Sequence, residues 1–131
     1  HLGKEDMPPM EAREILGPHA IIGVTANTAA DIEALRGKDV DYVGLGPFRH
    51  TSTKARLSPI LGIEGYREII AAKKAAGIEL PIVAIGGITL DDIAPLMATG
   101  INGVAVSGSI INASDPVEYT ERLLAALNQS I

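Results

Sequence analysis

Four short apolar runs constrain the architecture of this chain more than any other feature. Ala20-Ile-Ile-Gly-Val-Thr25, Asp41-Tyr-Val-Gly-Leu-Gly46, Pro81-Ile-Val-Ala-Ile-Gly86 and Gly103-Val-Ala-Val-Ser107 begin at residues 20, 41, 81 and 103. Each is too short for a helix, is mostly β-branched, and is apolar at both alternating positions. That is the pattern of a strand covered on both faces. The spacing leaves room for one helix in every gap, and the gaps carry helix signals. Thr28-Ala-Ala-Asp31 and Thr89-Leu-Asp-Asp92 each place a threonine where it can cap the amides of a first turn. Gly100 is a stop for the helix that Thr89 opens. Tyr66, Ile69, Ile70 and Lys73 follow helical spacing in a segment ending at Gly77. Asp115-Pro116 opens a last helix with Val117, Leu123, Leu124 and Leu127 on its apolar side, and a shorter one spans Met7 to Leu16. Helix and strand therefore alternate strictly, which predicts an α/β fold with a parallel sheet, either doubly wound or a barrel.

Composition narrows the function. Lys plus Arg is 11 against 16 Asp plus Glu, a net charge of −5, and aromatic residues make only 3% of the 131 residues. A chain with no long basic run and almost no stacking side chains is a poor partner for nucleic acid. No apolar run reaches the ~18 residues of a membrane span. The absence of cysteine removes disulfides, thiolate nucleophiles and cysteine-zinc sites, and is compatible with a reducing cytoplasm.

In either parallel architecture the working face lies beyond the carboxyl ends of the strands. Small and hydroxyl residues collect there: Thr25-Ala26-Asn27, Gly86-Gly87-Ile88-Thr89 and Ser107-Gly108-Ser109. Gly86-Gly87 reads either as a tight turn or as a place where an anion reaches backbone amides. Ser107-Gly108-Ser109 offers hydroxyls and amides directly after a strand, and in barrels the last two such loops commonly build a phosphate site. Between Tyr42 and Ile63 there is no acidic residue, while Arg49, Lys54 and Arg56 fall within that stretch, flanked by Thr51 and Thr53. This local patch suits a phosphate or diphosphate, or else is a solvated basic loop. Asp6 stands before a helix start at Pro8-Pro9; it favours the helix dipole, and beside a diphosphate it would be a ligand of Mg2+. Gly44-Leu-Gly46 fails as a dinucleotide fingerprint because Arg49 occupies the third glycine position. His19 and His50 carry no assigned role.

Taken in order, His1-Leu-Gly-x-Glu-Asp6, Ile22-Gly-Val-Thr25, Asp41-Tyr-Val-Gly-Leu-Gly-Pro47 with Thr51-x-Thr53-Lys54, Pro81-Ile-Val-Ala-Ile-Gly-Gly-Ile88 and Gly103-Val-Ala-Val-Ser107 resemble the thiamine phosphate synthase family. The resemblance extends over almost the whole chain. It implies a TIM (βα)8 barrel and a transferase that joins hydroxymethylpyrimidine diphosphate to thiazole phosphate, releasing diphosphate and giving thiamine phosphate in the cytoplasm. It further implies that Asp6 binds Mg2+, that Thr25 stands at a family serine near the substrates, and that Thr51 and Thr53 contact the thiazole phosphate region. Lys54 would be the catalytic cation at the diphosphate. Amides of Gly87, Ser107 and Gly108 would hold the thiazole phosphate.

Departures from the family pattern are Lys4 in place of a glutamine, and Arg49-His50 and Ser52 in place of Phe-Pro and Pro; Ser107-Gly108-Ser109 is also shifted against the usual hydrophobic-Ser-small pattern, which leaves the phosphate-binding amide open to within one residue. In the family His-Leu-Gly ends strand four. The chain is accordingly expected to form a single domain over residues 1–131, the C-terminal half of a barrel from the end of strand 4 through helix 8. A closed barrel needs roughly 200 residues or more. The open edges would then associate with the missing N-terminal half or with a second copy. Two other readings are a thiazole tautomerase of the same superfamily, which needs neither metal nor diphosphate, and an inactive phosphate-binding half barrel.

Overall fold

The computed structural model describes residues 1–50 and 59–131. The strands are shorter than the apolar runs: β1 spans Gly23–Ala26, β2 Tyr42–Leu45, β3 Ile82–Ala84 and β4 Gly103–Val104. All pair in parallel, in the spatial order β1-β2-β3-β4. Spatial order equals chain order, so the sheet has no point at which the winding reverses. That is the singly wound arrangement of a TIM-type barrel, and it excludes the doubly wound alternative. Leu2 continues the sheet past β1, donating its amide to Gly23 O at 2.8 Å and accepting from Thr25 N at 3.0 Å.

Right-handed crossovers put every helix of a singly wound sheet on one side. The helices are α1 (Pro9–Leu16), α2 (Ala29–Glu33), α3 (Gly62–Ala75), α4 (Ile93–Met97, preceded by a 3-10 turn over Leu90–Asp92), α5 (Gly108–Ile111) and α6 (Pro116–Gln129). On that side Ala26, Val43, Leu45, Ile82 and Ala84 of the strands pack with Ile32, Tyr66, Ile69, Ile70, Ile93, Leu96 and Leu123 of the helices. Burying each of the larger of these side chains contributes about 1.5–3 kcal/mol. Tyr66 is fully buried and sends its hydroxyl to Leu45 O at 2.5 Å, and burial pushes its phenol well above the ordinary range.

The threonine and aspartate starts are as expected. Thr28 Oγ1 accepts from Asp31 N at 3.0 Å, Thr89 and Asp92 form a reciprocal box, and Asp115 accepts from Glu118 N at 3.1 Å ahead of Pro116.

Two expectations require correction. A strand covered on both faces is not what forms: the face opposite the helices carries Thr25, Gly44, Val83 and Gly103 side by side, and Thr25 and Val83 are half-buried. Also, the four-residue α5 arises in the Ser107–Ser109 region, which reads as a loop from sequence because no side chain caps it.

At the amino ends of the strands Arg13 makes a dense lock. Its guanidinium donates to Ala20 O at 2.6 Å, Asp39 O at 2.9 Å and Asp41 Oδ2 at 2.9 Å, while Asp41 also accepts from Ile22 N at 2.8 Å. The Ile22 amide, and then Arg13, hold the Asp41 carboxyl below the usual carboxylate range. Bonding at this end of a barrel serves stability. His19, exposed at the same end, lies away from the working face.

Candidate phosphate site at the carboxyl ends of the strands

The turn after β3 has the geometry of an anion cradle. Gly86 and Gly87 have φ of 97° and 68°, a region that side-chain-bearing residues rarely adopt, which is why two glycines stand there. Three successive carbonyls of this turn are occupied: Gly86 O accepts from Arg49 N at 3.0 Å, Gly87 O from an Arg49 guanidinium nitrogen at 2.5 Å, and Ile88 O from Ser109 Oγ at 2.5 Å. Among the described residues, the amides of Gly86, Gly87 and Ile88 donate to no protein acceptor. Carbonyls tied down and amides left open form a nest suited to an anion. Below it, Thr89 N donates to Asp92 at 2.7 Å and Leu90 N to Tyr119 Oη at 2.9 Å, so the whole turn is held from several elements.

Ser107 and Gly108 sit at the start of α5, across from this turn and joined to it by Ser109. The sequence-predicted grouping of Gly87, Ser107 and Gly108 is thus brought together. Thr25 lies on the open face of the sheet, and its Oγ1 is 2.8 Å from His1 Nε2; His1 Nδ1 in turn is 3.0 Å from Tyr42 Oη. Gly23 and Gly44 make room for these rings. A Cβ on Gly23 would fall 1.9 Å from the Tyr42 ring, and one on Gly44 2.8 Å from His1. His1 and Tyr42 thus join Thr25 on the open face of the sheet, and nothing in the sequence pattern assigns them a role. Alternation along a strand of known direction could have placed Tyr42 on the side opposite the buried Val43.

Asp6 is exposed beside a cleft of about 260 Å³ that also involves Lys4, Thr25 and Asp31. Its Oδ2 accepts from Gly3 N at 2.6 Å, and its Oδ1 makes no bond among the described residues. Among the described residues no three His, Cys, Asp or Glu side chains cluster as a metal site. A lone carboxylate with one free oxygen fits Mg2+, which takes one or two carboxylates and fills its other positions with water and substrate phosphates. Lys4 pairs with Asp31 at 2.9 Å. Partial burial raises the Asp31 carboxyl, but the bonds from Lys4 and Asn27 N outweigh it and the net shift is downward.

The basic patch needs a correction at Arg49. Its guanidinium meets the Asp92 carboxylate in two contacts, at 2.6 and 3.0 Å, so the charge expected for phosphate is already paired. Lys54 and Arg56, with Thr51 and Thr53, lie outside the described residues. Pro47 O accepts from Leu61 N at 3.0 Å and Phe48 O from Gly62 N at 3.3 Å. His50 is exposed.

Residues 1–110 match the family model described as thiamine monophosphate synthase. The chain belongs to that family. It is 56% identical over 124 residues to the thiamine-phosphate synthase of Bacteroides fragilis and 59% identical over 124 residues to that of Phocaeicola vulgatus, matches that cover 95% of the chain. These cover 61% and 60% of the two relatives, so the chain spans about three fifths of their length. Among solved structures, the thiamine phosphate pyrophosphorylase from Pyrococcus furiosus superposes with a TM-score of 0.82 at 32% identity, over 99% of this chain and 59% of that one. No described helix is long and apolar enough to cross a membrane.

Proposed function

We propose that this chain carries the thiazole phosphate side of a thiamine phosphate synthase site, as the C-terminal half of a (βα)8 barrel and a single partial-barrel domain over residues 1–131. The observation that carries the reading is the row of amides at Gly86, Gly87 and Ile88 that meet no acceptor among the described residues, with their carbonyls tied away. The amides of Gly87, Ser107 and Gly108 receive the phosphate of the thiazole. Leu2, bonded beyond β1, supports placing the chain's first residues at the end of a preceding strand. The open edge there accommodates either the N-terminal half of a barrel or a second copy.

The reaction breaks the bond between the pyrimidine methylene carbon and diphosphate, and the bonding electrons leave with the diphosphate. The resulting cation is captured by the thiazole nitrogen lone pair, giving thiamine phosphate. No protein nucleophile is needed; rate comes from stabilising charge on the departing group. Lys54 serves as the cation at the diphosphate, with Thr51 and Thr53 at the thiazole phosphate region; these three enter from the sequence. Thr25 contacts substrate on the open face. Asp6 supplies the carboxylate that holds Mg2+, and when bound the ion neutralises leaving-group charge. All of this takes place in the cytoplasm, on small-molecule substrates.

The test is incubation of the protein with hydroxymethylpyrimidine diphosphate, thiazole phosphate and Mg2+. Thiamine phosphate and diphosphate are expected in equal amounts. Failure to form thiamine phosphate, in the chain alone and when joined to the N-terminal portion of a relative, contradicts the reading.

A further inference from the structure

Arg49 holds the glycine turn after β3 from two directions. Its main-chain N bonds Gly86 O, its guanidinium bonds Gly87 O, and its Cγ would lie 2.4 Å from a Cβ on Gly87. Backbone and side chain of one residue thus clasp both glycines. The guanidinium is fixed in turn by two contacts to Asp92 and by the Phe48 ring, whose centroid is 4.9 Å from Arg49 Cζ. Asp92 also accepts from the main-chain N and hydroxyl of Thr89, at 2.7 and 3.0 Å. One carboxylate therefore links the segment after β2 to the far side of the glycine turn. A peptide unit is planar, so fixing the Gly87 carbonyl fixes the direction of the Ile88 amide on the opposite side.

Resting on the phosphate-site reading above, we propose that Arg49 is a positioning residue: paired with Asp92, it orients the Gly87–Ile88 peptide so that its amide faces the phosphate, and it does not bind the phosphate itself. Charge makes the distinction. An arginine that contacted phosphate would be held back by Asp92, whereas an arginine that positions the turn depends on Asp92.

Calorimetric titration of the full chain with thiazole phosphate, in wild type, Arg49→Met, Asp92→Asn, Arg49→Lys and the Met/Asn double variant, separates the cases. Losing a charge-assisted bond that orients the turn is expected to weaken binding about tenfold in Arg49→Met and comparably in Asp92→Asn. The double variant should lose no more than the worse single one, because both act through one peptide. Arg49→Lys, which keeps a donor for Gly87 O, should recover part of the affinity. Melting curves identify any variant that is unfolded, and the lysine variant keeps the comparison decisive if Arg49→Met is. Tighter binding in Asp92→Asn would overturn the proposal in favour of direct contact, and unchanged binding in folded Arg49→Met would overturn it outright. No binding by wild type would overturn the phosphate-site reading itself, and the proposal with it.

Discussion

His1 Nε2 lies 2.8 Å from Thr25 Oγ1, which fixes the threonine hydroxyl on the open face of the sheet at the point where β1 ends. The contact is lateral, between neighbouring strand positions. Thr25→Val keeps the shape and removes the hydroxyl. The expected result is a fall in kcat/KM of about tenfold or more with the melting temperature little changed, measured by steady-state kinetics and a thermal scan.

Asp6→Asn should raise the Mg2+ concentration needed for half-maximal turnover without changing the affinity for thiazole phosphate. Asp6 lies at the β1 edge, and the proposed phosphate cradle lies after β3 and β4. A metal titration of turnover, set beside calorimetry with thiazole phosphate, checks the separation. Equal losses in both would place Asp6 in a structural role.

Arg13→Met removes the donor to Ala20 O, Asp39 O and Asp41 at the amino ends of the strands. Leaving those acceptors unpaired should cost about 1–3 kcal/mol of stability. Urea unfolding checks this, and binding of thiazole phosphate to the folded variant should be unaltered because the lock is at the opposite end of the sheet.

Acid should destabilise the fold through its paired carboxylates. Partial burial raises Asp92, but the bonds from Arg49 and Thr89 outweigh it and leave the group below the ordinary range; Asp31 and Asp41 are lowered as well. A carboxyl lowered in the folded state binds fewer protons folded than unfolded. Its contribution is fully present above the ordinary carboxylate value and is lost as pH falls through the lowered one. Unfolding free energy measured from pH 7 down to pH 2 should therefore decline at the acid end, with a smaller decline in Asp92→Asn.

Local chemistry was legible in the sequence and long-range pairing was not. The caps at Thr28, Thr89 and Asp115 act within three residues of themselves, so the pattern that encodes them is also the pattern that can be read. Strand direction and the gathering of Gly87, Ser107 and Gly108 followed from alternation alone, because a parallel sheet leaves its carboxyl ends on one side. Strand lengths were overestimated where apolar residues precede the sheet, as with Ile21, which is 78% exposed. The pairing of Arg49 with Asp92 joins residues 43 apart and depends on the register of β2 against β3. Nothing near Arg49 in the sequence announces its partner, and a count of local charge assigned it to the ligand. The role of His1 and Tyr42 was hidden for the same reason: their bond crosses β1 between segments 41 residues apart.

The central claim is that phosphate is held by the open amides after β3. Amide-resolved NMR of the 15N-labelled chain, titrated with thiazole phosphate, reads those groups individually. The largest shifts are expected at Gly86, Gly87 and Ile88, with further shifts at Ser107 and Gly108, and loss of the Gly87 and Ile88 response in Gly87→Ala, where the added Cβ meets Arg49. Saturable binding that leaves the Gly86–Ile88 amides unmoved would contradict it.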